Sequence, residues 1–411
     1  MKSQRKKPYP NWKWVVCLLA LTIAWTPLTG MGQTSRVADP GPRHLILMIG
    51  DGMGFGQVQA ASLYATGQEG RLFLESLPVS GRMTTYSIDP EDPDSQVVTD
   101  SAAAATAMAT GQKVVNGVIC KRIPGDGAEL ETVLEKYAKA GRRTGLVTTT
   151  YMTHATPAGF GAHADNRNEL GVIADEYLHG TRPNVLYGGG CKHLTAEAAQ
   201  QAGYLLVSTR RQLQALNPYQ TSHVLGRFGL GHMPYEFSKE PTTETASKPS
   251  VYEAGGGRPN PAYSSIDALP HLTEMTLSAL AVLDAGGEGF FLMVEGGRID
   301  HACHSNNLPR CIGETLEFDR AVRAVIEWAQ RRDDVLVIVT ADHETGGLKV
   351  LQSNGKDAWP DVSWQHKHHT GQAVPVYAWG QGAELFVGEI DNTELVGRIA
   401  KAAALVAVGQ P

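Results

Sequence analysis

Positive charge is in short supply in this chain. Lysine and arginine total 36 against 42 aspartates and glutamates, for a formal net charge of −6. Composition therefore carries no signal for nucleic acid as a partner. A phosphate-binding site needs only local positive charge, which metal ions can supply. Cysteine is sparse as well, with five in 411 residues. Cys17 lies in the N-terminal apolar run without an LxGC-type lipobox around it, which argues against lipid attachment there. Cys120, Cys191, Cys303 and Cys311 are left. In an oxidising compartment they could pair, and nothing in their spacing chooses among three connectivities or favours disulfides over buried thiols. No internal repeat stands out, no second domain is evident, and a 42% hydrophobic, 19% charged composition shows no disordered bias. The length fits one large α/β sheet with insertions.

What is present begins with a distinctive N-terminus. MKSQRKK is basic, Trp14–Trp25 (WVVCLLALTIAW) is almost uniformly apolar, and Pro27 and small residues follow. That tripartite order is the shape of a secretory signal peptide over residues 1–32. The rival reading, a retained anchor, is disfavoured because the run is short for a bilayer span of about 20 residues. The expectation is an exported protein, periplasmic or extracellular, with no stable membrane anchor after cleavage and its domain over 33–411.

Four short apolar runs read as strands that each end in polar residues: His44–Ile49 into GDGMG, Thr144–Thr150 into YMTHATP, Gly289–Val294 into EGGRIDHACH, and Val335–Thr340 into ADHETGG. A fifth, Ala373–Trp379, follows HHTG. Helical spacing is read over Ala128–Ala140, Leu272–Ala285 and Leu316–Gln330. Alternating strands and helices predict a large, mostly parallel central sheet with helices on both faces. Such sheets bind ligands beyond the carboxyl ends of their strands. Residues 239–263, polar and rich in Pro, Gly, Thr and Ser, read as a surface insertion.

Those strand ends carry the candidate metal ligands. Asp51 sits in a glycine-rich turn, and Glu295, Asp300 and His304 lie in VEGGRIDHACH, with His304 four residues after Asp300 as two ligands on one helical face require. Asp342 and His343 follow a buried strand, and His366, His368 and His369 cluster in HKHHTG. Mixed carboxylates and imidazoles suit zinc, and an oxygen-only subset suits magnesium. The segment VTDSAAAATAMATG reads as a helix starting at Ser101, with Thr99 and Asp100 at its boundary and alanines that favour helix and permit close packing. Its first N–H groups would face a bound anion. A nucleophilic Ser101 would need activation, for which metal coordination is one route.

Taken together, VTDSAAAATAMATG, GDGMG, THATPAG with the downstream NR, VEGGRIDH with HSN, TADH and HHTG resemble, in the same order, the nucleophile, metal-binding and phosphate-binding segments of the alkaline phosphatase family. The resemblance implies that family's fold and the hydrolysis of small phosphate monoesters through a phosphorylated Ser101. It implies two zinc ions and one magnesium ion. Asp51 would bridge one zinc and the magnesium, and Asp342 and His343 would hold that zinc, which also binds Ser101. Asp300, His304 and His369 would hold the other zinc. Thr156 and Glu295 would complete the magnesium site, and Arg167 would clamp the phosphate with Asp100 as its support. His154 and His301 resemble the animal-type pattern rather than the Asp and Lys of the enterobacterial type, with His154 placed just outside the magnesium ligands or biasing that site toward zinc or cobalt. Only Glu344–His368 separates the last two segments, which implies a reduced crown region and weakens the carry-over of the family's usual homodimer. Two rivals remain on the same residues: a related metal hydrolase of diesters, sulfate esters or phosphonates, and a non-catalytic zinc or phosphate binder.

Overall fold

A computed structural model describes residues 41–92, 94–191, 193–236 and 269–409. The leader expected over 1–32 lies outside the described residues, as does the insertion expected over 239–263. Ten described strands form the main sheet: β1 (His44–Ile49), β2 (Val79–Thr84), β3 (Arg143–Tyr151), β4 (Val185–Gly189), β5 (Leu205–Val207), β6 (Val224–Arg227), β7 (Phe290–Glu295), β8 (Val335–Thr340), β9 (Val374–Gly380) and β10 (Gly388–Asp391). Their spatial order is β10-β2-β9-β8-β1-β7-β3-β4-β6-β5. All neighbours are parallel except β9, which runs antiparallel to both β8 and β2. The first described strand is thus central, with His44 opposite Phe290 on one side and Val335 on the other.

The central strands are continuous apolar runs because both sheet faces are covered. Every residue of β1, β7 and β8 is buried. Helices introduced as the site needs them are α1 (Phe55–Thr66), α2 (Ser101–Thr110), α3 (Val133–Lys139), α4 (Ala155–Gly161), α5 (Leu272–Asp284), α6 (Arg298–His304), α7 (Leu308–Ala329) and α8 (Glu394–Gly409). Adjacent residues of β3 show the two layers. A Cβ added at Gly145 would meet Leu283 of α5, whereas Leu146 packs at Gly161 of α4. Successive strand residues face opposite ways, so α4 and α5 cover opposite faces.

Two helix boundaries differ from the sequence pattern. α3 starts at Val133, not at Ala128, because Thr132 and Glu135 form a reciprocal capping box. The residues before it are drawn into a bridge, with Leu130 N–H donating to the Cys120 carbonyl. α7 begins at Leu308 rather than Leu316. Asn307 caps it through Arg310 N–H, and Pro309 occupies the first turn, where a missing N–H costs nothing. Between β8 and β9 the crown is reduced to a short antiparallel pair, Lys349–Gln352 with Asp361–Ser363, and a second pair, Glu344–Thr345 with His369–Thr370. None of the helices among the described residues is long and apolar enough to cross a membrane.

One buried ion pair near α3 gives the fold a pH dependence. His163 is buried, with Nε2 3.4 Å from Glu135 Oε2 and Nδ1 3.4 Å from Glu176 Oε2. Burial lowers its pKa, but the Glu135 and Glu176 carboxylates outweigh that and raise it to about 9. A raised histidine pKa stabilises the fold fully below the unfolded value near 6.5, and the contribution is lost as pH rises through about 9. It amounts to something on the order of 2 kcal/mol after allowance for solvent screening. The thermal midpoint of the wild type should therefore fall more steeply between about pH 7 and about pH 10 than that of His163→Gln. Parallel midpoint curves for the two proteins would remove this assignment.

Candidate active site

Four neighbouring strands, β8, β1, β7 and β3, deliver the site at their carboxyl ends. β1 leads to Asp51, β3 to His154 and Thr156, β7 to Glu295 and Asp300, and β8 to Asp342 and His343. The turn after β1 is tight: Gly52 takes φ +72, and a Cβ there would lie 2.9 Å from Asp300 Cα. Glycine is what lets Asp51 and Asp300 share one site. Its N–H also donates to Asp342 Oδ1 at 3.1 Å.

α2 brings Ser101 to this edge. Asp100 is its N-cap, with Oδ1 accepting from Ala103 N–H at 2.9 Å. Its other oxygen, Oδ2, accepts from Arg167 Nη1 at 2.9 Å and from Gly117 N–H at 3.1 Å. Asp100 is therefore both a cap and the support of Arg167. The alanines of α2 let it approach α4, where a Cβ at Gly159 would sit 2.5 Å from Ala105 Cβ. That close packing fixes Ser101 relative to Thr156.

Three sets of donors converge. In the first, His343 Nε2 lies 3.5 Å from Asp51 Oδ1, 3.3 Å from Asp342 Oδ2 and 3.3 Å from Ser101 Oγ. Thr345 Oγ1 donates to Asp300 Oδ1 at 2.6 Å and so accepts from His343 Nδ1, 3.2 Å away. The proton therefore sits on Nδ1 and Nε2 is left as a donor of electrons to the site. In the second set, His304 Nε2 lies 3.2 Å from Asp300 Oδ2, and His369 Nε2 lies 3.7 Å from Asp300 Oδ1. Backbone carbonyls fix both rings: Lys367 O is 2.6 Å from His304 Nδ1, and Thr99 O is 2.8 Å from His369 Nδ1. The two Nε2 atoms then face each other at 3.2 Å; without metal the Asp300 carboxylate holds a proton on His304, raising its pKa to about 9, and a bound cation would take that proton's place. The third set is Asp51, Glu295 and His154, each offering an atom within 4.8 Å of the others. Thr156 Oγ1 is buried beside them without a hydrogen-bond partner.

The electrostatics call for cations. Asp51, Glu295, Asp300 and Asp342 are all 5% exposed or less. Burial, followed by the charge of Asp342, pushes Asp51 well up. Burial raises Glu295 to about 7 and Asp342 to about 6, the latter with the charge of Asp300 added. Asp300 alone goes the other way: its burial is outweighed by the hydrogen bond from His304 and the neighbouring imidazoles. Both oxygens of Asp51, Oδ2 of Asp342, Oε1 of Glu295 and Nδ1 of His154 are buried without partners. Orphaned acceptors of this kind are rare unless an ion satisfies them, and oxygen and imidazole donors fit zinc in the first two sets and magnesium or zinc in the third.

The residues that the family resemblance assigns to the site all reach this region, including His301, whose ring is 5.6 Å from that of His154. Of the three clustered histidines, only His369 enters a donor set; His366 and His368 stay outside it. The sequence reading missed several supports. Asn116 accepts from Asp100 N–H at 2.8 Å. Glu344 is buried, accepts from Thr370 Oγ1 at 2.5 Å and from Gln57 Nε2 at 2.8 Å, and so ties α1 to the His369 segment. His232 packs 4.5 Å from His301 and accepts from Tyr151 N–H at 3.4 Å. None of these lies in a motif with its own signature; Glu344 alone carried a signal, being adjacent to Asp342 and His343.

Comparison with known proteins agrees with this geometry. The family profile described as Alkaline phosphatase matches residues 42–361 and 349–405. The chain is 35% identical to a streptomycin-6-phosphate phosphatase of Streptomyces griseus, over 94% of this chain and 96% of that protein. It is 33% identical to an alkaline phosphatase of Escherichia coli, over 87% and 85%. Among solved structures, an alkaline phosphatase from the Antarctic bacterium TAB5 superposes with a TM-score of 0.69 at 25% identity, covering 89% of this chain and 99% of that one. The Thermus thermophilus alkaline phosphatase has the same fold, with a TM-score of 0.72 over 93% and 96%. The donor sets, the sheet that presents them and these likenesses lead to one conclusion: the chain belongs to the alkaline phosphatase family and is a phosphatase.

Proposed function

We propose that the enzyme hydrolyses phosphate monoesters through a covalent phosphoserine at Ser101, with two zinc ions and one magnesium ion. The observation that carries this reading is the position of Ser101 Oγ, at the amino end of α2 and 3.3 Å from His343 Nε2, within reach of the first donor set and on the same edge as Arg167. The first set (Asp51, Asp342, His343, with Ser101) and the second (Asp300, His304, His369) would each hold a zinc. Asp51, Glu295 and Thr156 would hold the magnesium, with His154 adjoining them. When bound, the ions supply positive charge to the attacking and leaving oxygens of an in-line displacement and lower the pKa of a coordinated hydroxyl.

The chain's own residues do the rest. Asp100 fixes Nη1 of Arg167, so the guanidinium faces the phosphoryl group in one orientation and can hold two non-bridging oxygens bidentately. Ser101 Oγ attacks phosphorus, the alcohol leaves, and water then attacks the phosphoserine from the opposite face. The first-turn N–H groups of α2 add positive potential where charge accumulates. A monoester dianion has a third free oxygen and a second negative charge beyond the two oxygens Arg167 would hold, whereas a diester carries a single charge and a second ester group there, so the reading favours monoesters over diesters. p-Nitrophenyl phosphate should be hydrolysed with a kcat/KM at least ~10³ above that of bis(p-nitrophenyl) phosphate, because the diester carries one negative charge less and puts a bulky ester group where the monoester has a free oxygen. A preference for the diester would overturn the assignment.

The likeness to the Streptomyces enzyme supports small phosphorylated alcohols among the substrates. Residues 1–32 are proposed as a cleaved leader, 33–411 as the phosphatase domain and 239–263 as a surface insertion. The mature enzyme would then act outside the cytoplasm. The small crown leaves any homodimer to rest on other surfaces.

A further inference from the structure

Two cysteines unused by the proposed chemistry face each other directly behind the second donor set. Cys303 lies in the last turn of α6, one residue before His304, and Cys311 lies in the first turn of α7. Both are fully buried, and their sulfurs are 3.4 Å apart. The turn between them is closely held: Asn306 N–H donates to Cys303 O at 2.8 Å, Asn307 N–H to Ala302 O at 2.9 Å, and Cys311 N–H to Asn307 O at 2.9 Å. The other two buried cysteines are engaged differently. Cys120 Sγ donates to Gly159 O at 2.9 Å, and Cys191 Sγ accepts from Thr153 Oγ1 at 3.2 Å.

We propose that Cys303 and Cys311 form a disulfide that fastens α6, the helix carrying Asp300 and His304, to α7. Closing the sulfurs from 3.4 Å to a bond of about 2.05 Å is a shift of roughly 1.4 Å. The oxidant is a donor disulfide. One cysteine, as its thiolate, attacks the donor and expels a thiolate, giving a mixed disulfide. The second cysteine then displaces the remaining donor sulfur. Two protons and two electrons pass to the donor, which leaves as two thiols. Because both sulfurs are buried, exchange takes place during folding or local opening. In the cell it rests on the export proposed above, since an oxidising compartment supplies such donors; the chemistry itself does not depend on the enzyme's activity. Once closed, the bridge restrains the helix from which two ligands of one metal project, so metal loss slows.

The test is made on the purified metal-loaded enzyme, held in oxidised and reduced glutathione, then denatured, alkylated and weighed. The bridged form should be ~2 Da lighter than the fully reduced form before alkylation. Cys303 and Cys311 should resist alkylation and appear as one linked peptide pair, while Cys120 and Cys191 are alkylated. Full alkylation of all four, or a bridge between any other pair, would overturn the proposal. Zinc release to a chelator, followed by a zinc-sensitive dye, should be several-fold slower from the bridged wild type than from the Cys303→Ala/Cys311→Ala variant or the reduced wild type. Equal release rates would overturn the restraint. Neither readout uses turnover, so failure of the bridge leaves the phosphatase reading intact.

Discussion

Ser101→Ala should abolish turnover of p-nitrophenyl phosphate by about 10³-fold or more while leaving metal content close to that of the wild type. The reasoning starts from burial and geometry. Ser101 is 2% exposed, and its Oγ lies 3.3 Å from His343 Nε2. The alanine keeps the helix, because the cap is made by Asp100 and not by Ser101, and alanine is the best helix former. Asp51, Asp342 and His343 still supply one donor set, and Asp300, His304 and His369 the other. What goes is the attacking oxygen. Two measurements check this: kcat/KM, and zinc and magnesium per chain. Wild-type turnover in the variant would refute the nucleophile. Loss of zinc along with activity would mean that the hydroxyl is chiefly a ligand. Wild-type protein quenched in acid during turnover should carry phosphate on the Ser101 peptide, and the variant should not.

Removal of metal should be as severe. Chelation should cost at least ~10³ in kcat/KM, with recovery on adding zinc together with magnesium. The chelated protein should also become acid-loving. Burial raises Glu295 to about 7 and Asp342 to about 6, and with the charge of Asp342 it pushes Asp51 well above its ordinary value. A carboxyl group whose folded pKa is raised binds its proton more tightly in the fold than in the unfolded chain, so stability falls as pH climbs from the unfolded value near 4 through the folded one. Below about pH 6.5 this is opposed by His154, His232, His301 and His343, which burial keeps neutral in the fold, so the thermal midpoint of the chelated enzyme should drop between about pH 7 and about pH 8, and metal should restore it most at the upper end. Full activity in the presence of excess chelator, or a midpoint flat across that range, would count against the cation sites.

Much of this site was legible in the sequence because the chemistry sits where strands stop. A buried parallel strand must be an apolar run, so HLILMI and VLVIVT announce themselves, and the first polar residues after them, Asp51 and Asp342, fall at the ligand-binding edge. The helix boundaries were harder. Thr132 and Asn307 outweighed the apolar periodicity around them through one capping bond each, a local term that the period of a pattern does not contain. The supports were hardest. His232, Asn116 and Thr345 act through contacts made only after folding, across long sequence distances, and none sits in a pattern of residue spacing. The double use of Asp100, one oxygen for the helix and one for Arg167, likewise required the geometry.

The placement of β1 has a consequence in time. Of the sheet's described strands it is made first, yet it is flanked by β7 and β8, which are made about 240 to 290 residues later. Until those strands arrive, HLILMI is an apolar segment with two unpaired edges. Non-local pairing of this kind folds slowly. The delay leaves an apolar strand open to pairing with another chain, so aggregation during that wait is a hazard in producing the enzyme.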